Sequence, residues 1–93
     1  MQGYDPQGGA SSLNITSSKV LKTGFGVCCT VNVVVAGAGC TVNDCATTGA
    51  AAASNQMLAI PNAVGPVNMS GFPYFNGLCI VVAGGATIAV AYS

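Results

Sequence analysis

Beyond residue 17 the chain alternates between short apolar runs rich in β-branched residues and clusters of Gly, Pro and Asn. That spacing predicts an antiparallel β-sandwich or small barrel. Residues 18–23 form a first candidate strand. Residues 27–36 form the strongest one, with Val27, Cys29, Val31, Val33 and Val35 on one face by period-two alternation and Cys28, Thr30, Asn32 and Val34 on the other. β-Branched side chains dominate this run, which disfavours helix. Gly37 and Gly39 end it, and residues 41–46 are expected to pair back on it as a hairpin. Residues 56–60 predict a strand stopped by Pro61, and residues 64–69 another, placed at a sheet edge by Pro66. Residues 70–76, with Phe72, Pro73, Tyr74 and Phe75, read as an aromatic loop. Ala50, Ala51, Ala52 and Ala53 favour helix intrinsically, but the run is short and admits one or two turns at most.

The clearest unit is C-terminal. Residues 78–83 and 86–92 flank Gly84-Gly85, a pair suited to the positive φ angles of a two-residue hairpin turn. Leu78, Ile80 and Val82 share one face of the first run; Ile88, Val90 and Tyr92 share one face of the second. Cys79, Val81, Ala83, Thr87, Ala89 and Ala91 lie opposite, so neither face is strongly polar. An antiparallel sheet with one wet side shows polar residues there, so a cover over the second face is expected, from another sheet or another subunit. A membrane helix over residues 78–92 is the rival reading. It falls short of the roughly 20 residues needed to span and carries the Gly pair at its centre.

A chain of 93 residues is expected to fold as one domain. Residues 1–12, rich in Gly, Gln and Ser, read as a flexible N-terminal arm, and residues 13–93 as a single β domain. Charge changes the picture most, because Asp5, Lys19, Lys22 and Asp44 are the only charged side chains and the net charge is zero. Domains exposed to solvent usually carry about a quarter of their residues charged, and a net charge keeps copies apart. The near absence of ions favours a protein whose working state is an assembly. With only two lysines and no arginine, phosphate neutralisation fails, so no nucleic acid partner is expected, and no membrane partner on the same ground.

Candidate chemistry is sparse. There is no His, which removes the commonest general base and metal ligand. Asp5 and Asp44 fall far apart in sequence, in an arm and a turn. Of the five cysteines, only Cys40 and Cys45 have a zinc-like spacing, and adjacent Cys28 and Cys29 point to opposite faces of a strand. The cysteines read as reduced, buried small hydrophobes, or as one or two disulfides, Cys40 with Cys45 foremost. The first residues show no basic segment leading into an apolar stretch, so no secretory signal is expected, though a mature form would have lost one. Gly24-Phe25-Gly26 and Gly37-Ala38-Gly39 read as turn glycines, and Asn76-Gly77 as a turn before the last two strands. No catalytic residue, metal ligand or cofactor site is assigned, and the chain is read as a non-enzyme.

Thr41-Val42-Asn43-Asp44-Cys45 leading into the alanine run, then Asn55-Gln56, Ile60-Pro61, Asn76-Gly77-Leu78 and the ending Val90-Ala91-Tyr92-Ser93, resemble the small virion structural proteins of tailed bacteriophages, of the head decoration or cement type. The likeness covers roughly residues 26–93. It implies a β-rich viral protein of the virion, assembled in the host cytoplasm, that binds the major capsid protein or other virion proteins and forms a homo-oligomer, typically a trimer. The cysteine content departs from that pattern. The expected binding face draws on Val31, Val33, Val35, Leu78, Ile80 and Val82, with Phe72, Tyr74 and Phe75 of the aromatic loop. A phage tail or fibre component and a secreted adhesin or surface module with disulfides are the alternatives.

Overall fold

A computed structural model describes residues 10–93. The expected all-β sandwich is present. Eight strands run in the order β1 (Ala10–Ile15), β2 (Lys19–Thr23), β3 (Gly26–Val35), β4 (Thr41–Asp44), β5 (Gln56–Ala59), β6 (Gly65–Tyr74), β7 (Gly77–Val81) and β8 (Thr87–Tyr92). They form two four-stranded antiparallel sheets, β1-β8-β3-β6 and β2-β7-β4-β5. This strand order is that of a jelly roll.

The topology has a simple origin. β1 pairs β8, β2 pairs β7, β3 pairs β6 and β4 pairs β5. Ala10 faces Tyr92, Thr23 faces Gly77 and Thr41 faces Ala59, so every such pair is centred close to Ala50. The described chain is one long antiparallel ribbon, folded over on itself, with the alanine run at its tip. Only β4 and β5 are both consecutive in sequence and hydrogen-bonded neighbours; every other connection crosses between sheets.

Three expectations are corrected by this winding. Residues 41–46 do not pair back on β3: β4 belongs to the other sheet, between β7 and β5. The terminal hairpin is also absent, because β7 and β8 lie in different sheets. Its local turn is nevertheless formed, with Gly84 at φ 64°, Gly85 at φ 77° and the Ala86 N–H donating to the Ala83 carbonyl at 3.2 Å. The turn therefore joins two layers as an arch. The aromatic loop is instead largely strand, since β6 runs on to Tyr74 with a break where Ser70 and Gly71 adopt positive φ. Of the residues read as a flexible arm, 10–12 belong to β1, and residues 1–9 lie outside the described residues. The membrane-helix rival is excluded by the strands over residues 78–92.

The alternation in β3 is also altered. A bulge between Cys28 and Thr30 shifts the register against both neighbouring strands, and one extra residue moves every later side chain to the opposite face. Cys28 thus points inward together with Val31 and Val33, whereas Val27 and Cys29 are half-buried. The core between the sheets combines these residues with Ile15, Val42, Met69, Tyr74, Leu78, Ile80, Ile88 and Val90.

The second sheet is covered on its outer face by the chain itself. Asn43, opposite Cys79 in the ladder, is buried there, and its amide donates to the Ala52 carbonyl at 2.9 Å and to Asn55 Oδ1 at 2.7 Å. Asn43 Oδ1 accepts from the Thr41 hydroxyl at 2.6 Å, which leaves none of its polar atoms unpaired. Asn55 also accepts from the Ala52 N–H and donates to the Ala50 carbonyl. These bonds pin the tip, with its two 3-10 turns Thr48–Ala50 and Ala53–Asn55, over the sheet. The tip of the ribbon thus supplies the expected cover for the β7 side alone; Thr87, Ala89 and Ala91 of β8 stay partly exposed on the outer face of the first sheet.

Candidate interaction surface

The described surface holds seven large exposed apolar side chains: Leu13, Phe25, Val34, Val35, Val64, Phe72 and Phe75. Phe25 and Phe75, each 63% exposed, stand together at one end of the sandwich with ring centroids 5.5 Å apart and planes tilted by 41°. That geometry suits an attractive aromatic pair. Phe25 sits in the β2–β3 turn and Phe75 in the β6–β7 turn, and the two turns are joined by the Gly24 N–H donating to the Asn76 carbonyl at 2.9 Å.

Asp44 holds this end rigid. It leaves the end of β4, and its Oδ1 accepts the N–H groups of Phe75 at 3.0 Å, Asn76 at 2.7 Å and Gly77 at 3.2 Å, while Oδ2 takes a second contact from Phe75 at 3.0 Å. Burial pushes the Asp44 carboxyl up, but the three N–H donors together outweigh it and hold it below its ordinary value. The one carboxylate side chain among the described residues therefore serves to preorganise an aromatic turn. Because the folded state lowers this pKa, the associated stability is present above the unfolded value of about 3.9 and is lost as pH falls through the folded value. Acidification below about pH 4 is expected to lower the protection of the Phe75 and Asn76 amides, measured against the intrinsic exchange rate at each pH. Asp44→Ala is expected to cost about 1–2 kcal/mol in urea denaturation at pH 7, because charge-assisted hydrogen bonds are lost at a partly exposed site. An Asp44→Asn protein should keep part of the geometry and lose the acid-dependent step.

The residues expected to form the binding face divide sharply. Val31, Val33, Tyr74, Leu78 and Ile80 are buried in the core and are withdrawn from any surface. The cause is the two-layer winding, which turns the large-residue faces of β3 and β7 toward each other. Val82 is partly buried against the same core. Val35, Phe72 and Phe75 remain exposed. Leu13, Phe25, Val34 and Val64 were not anticipated as surface groups. The available signal for Phe25 was its place between Gly24 and Gly26, a large apolar residue in a turn that has no core to enter.

Two depressions flank this surface. One, about 140 Å³, lies on the outer face of the first sheet and is lined by Ser11, Leu13, Thr30, Asn32, Ala89 and Ala91. The other, about 220 Å³, runs between the ribbon tip and Thr41, Asn43, Gln56 and Val81. The thiols are placed away from both. Burial, with Cys29 adding, pushes Cys28 up to about 12, and burial, with Cys45 adding, does the same for Cys79. Both stay protonated at neutral pH, the unreactive state of a thiol. All five cysteines are free. The Cys40–Cys45 pairing is ruled out by the strand between them, since extended residues advance about 3.3 Å each and a disulfide needs Cα atoms within about 7 Å. Cys40 instead accepts from the Ala83 N–H at 3.4 Å and reaches the Ala83 and Gly37 carbonyls at 3.4 and 3.7 Å.

Comparison with known protein families, with curated proteins and with solved structures gives no match for this chain.

Proposed function

We propose that this protein is a structural subunit of a protein shell, a virion decoration or cement protein in keeping with the resemblance in its sequence, that works by packing apolar surface against its own copies and against the shell protein beneath. The observation that carries this reading is the combination of seven exposed large apolar side chains with a chain holding only four charged ones. Exposed apolar groups on an uncharged surface lose little and gain burial when copies meet, at about 25 cal/mol per Å² before association costs are subtracted. The jelly roll adds support by analogy, since it recurs in viral capsid domains, though it also serves lectins. The Phe25–Phe75 pair, fixed in advance by Asp44, has the character of a binding anchor, because its ordering cost is already met in the free protein.

Native mass spectrometry and light scattering across a dilution series test the reading. Reversible oligomers at micromolar concentration, weakened by Phe25→Ser or Phe75→Ser, are the expected result. A protein that stays monomeric at millimolar concentration and ignores both substitutions overturns it.

A further inference from the structure

Cys45 and Cys79 are the two buried apolar residues that take no part in the core between the sheets. Leu78 and Ile80 point into that core, so Cys79 between them points to the outer face of the second sheet. Asn43 lies opposite Cys79 and Asp44 opposite Leu78, which places Cys45 level with Gly77 and on the same face as Asn43 and Cys79. The backbone agrees, since a Cβ on Gly77 would lie 2.6 Å from the Cys45 carbonyl oxygen. The outer face of a sheet is ordinarily wet, yet Cys79 is wholly buried and Cys45 nearly so. The ribbon tip is the cover: its turn Thr48–Ala50 packs against β7, and Asn43 ties down its far side. The two thiols are therefore enclosed together, apart from the main core. Besides burial, Cys45 is the one group that perturbs Cys79, through its charge and a side-chain hydrogen bond, as only a neighbouring sulfur can.

We infer that Cys45 and Cys79 form a disulfide, joining the end of β4 to β7 beneath the ribbon tip, when the protein meets a small disulfide oxidant such as oxidised glutathione. Nothing in this depends on self-association. The other thiols are set aside by position: Cys28 and Cys29 are adjacent in β3 of the first sheet, and Cys40 is engaged with the backbone of Gly37 and Ala83. Diagonal partners across a ladder stand about 7–8 Å apart at Cα, and a disulfide spans about 7 Å at most. Cys45 lies just past the end of β4, where the chain turns into the tip, so the small approach needed falls on a residue outside the ladder. Two exchanges make the bond. The Cys45 thiol loses its proton to solvent and its sulfur attacks the oxidant, forming a mixed disulfide and releasing one glutathione thiolate, which takes up a proton. The Cys79 sulfur then loses its proton to solvent and displaces the second glutathione, closing the protein disulfide. Two protein thiols give up two electrons, and the oxidant becomes two thiols. Burial keeps Cys79 protonated toward outside reagents, but its step is intramolecular, between sulfurs that are already neighbours. Access to Cys45 comes by opening of the tip, whose two 3-10 turns have no buried residue to hold them down.

The test refolds the full chain from urea in glutathione redox buffers, so that access to buried sulfur does not limit the reaction, then quenches in acid and counts thiols under denaturing conditions. A fall from the five free thiols of the reduced protein by two is expected, with digestion and mass spectrometry placing the bond between Cys45 and Cys79. The oxidised protein should unfold at a higher urea concentration than the reduced one, because the cross-link restricts the unfolded chain. Dithiothreitol should return it to the reduced midpoint. Cys45→Ala and Cys79→Ala should each form no intramolecular bond in the same buffers, and the wild-type mapping decides the matter even where a variant fails to fold. Retention of all five thiols by the wild type at every glutathione ratio, a bond mapped to any other pair, or an oxidised protein with a lower urea midpoint overturns the Cys45–Cys79 site and leaves the shell-subunit reading in place.

Discussion

Tyr74→Ala is expected to remove about 4 kcal/mol of stability, since truncating a large buried aromatic side chain costs about 3–5 kcal/mol. A domain of this size has about 5–14 kcal/mol in total, so the variant should unfold at a much lower urea concentration and be partly unfolded at 37 °C. Tyr74 is wholly buried at the end of β6, and its hydroxyl donates to the Ser93 carbonyl at 2.8 Å. The same carbonyl accepts the Val27 N–H at 2.9 Å, and the Ser93 N–H returns to the Val27 carbonyl at 2.9 Å. One phenol thus fastens β6 to the last residue of the chain, beside Gly26, where an added Cβ would collide with the Tyr74 hydroxyl and the Ser93 carbonyl. Tyr74→Phe should lose only the hydrogen bond, about 1 kcal/mol. The pair of variants separates packing from polarity.

A pH effect of opposite direction to that of Asp44 follows from the same residue. Burial, reinforced by Tyr92, Cys28 and Cys29, pushes the Tyr74 phenol up to about 12. The neutral phenol is the form the fold holds, so its contribution is complete below the unfolded value of about 10 and disappears as pH climbs from there through 12. Alkaline unfolding should therefore be less steep in Tyr74→Phe than in the wild type, as read by circular dichroism between pH 9 and 12.

Tyr74 also shows where sequence reading stops. Its neighbours Phe72, Pro73 and Phe75 make the segment look like a loop, and alternation from Val67 and Met69 would place Tyr74 outward; the irregularity at Ser70 and Gly71 shifts the phase and turns it into the core. Most strands were legible, because runs of Val, Ile, Thr and Cys bounded by glycine signal extended chain locally; β1, whose Ala10, Ser11 and Ser12 fall in the segment read as an arm, was not. Their pairing was not, because every ladder except that of β4 with β5 joins segments distant in sequence. The one clue was global: apolar runs fall at similar distances on either side of Ala50, as a folded ribbon requires. The β3 bulge was invisible for another reason, since Val27, Cys29, Val31, Val33 and Val35 alternate without interruption. Partner register shifts the phase at Cys29, so Cys28 takes the core position. The interaction surface inherited these errors. Large apolar faces were taken for candidate contacts, when the two-layer winding consumes most of them and leaves outside the residues of turns and strand ends.

Gly84 and Gly85 offer the sharpest test of that winding, because a hairpin and an arch make different demands on the same two residues. In both, positive φ makes alanine costly at each position, by about 1–2 kcal/mol. Only the arch distinguishes them sterically. A Cβ on Gly84 would lie 2.7 Å from the Ala38 nitrogen and 3.0 Å from its carbonyl oxygen, on the arch that links β3 to β4, whereas a Cβ on Gly85 meets nothing within 4 Å. The contact is mutual: a Cβ on Gly37 would lie 2.7 Å from the Ala83 carbonyl oxygen and 2.8 Å from the Ala86 Cβ. Backbone cannot swing aside as a side chain can, so the overpacking adds about 1–3 kcal/mol. Gly84→Ala is therefore expected to cost about 3–4 kcal/mol and Gly85→Ala about 1 kcal/mol, from the sum of strain and overpacking in the first and strain alone in the second. Gly37→Ala, which has no φ penalty, should fall between them. Denaturant midpoints for the three variants decide the matter. Equal losses at Gly84 and Gly85 with none at Gly37 would mean that β7 and β8 pair as a local hairpin, and that the two arches do not stack.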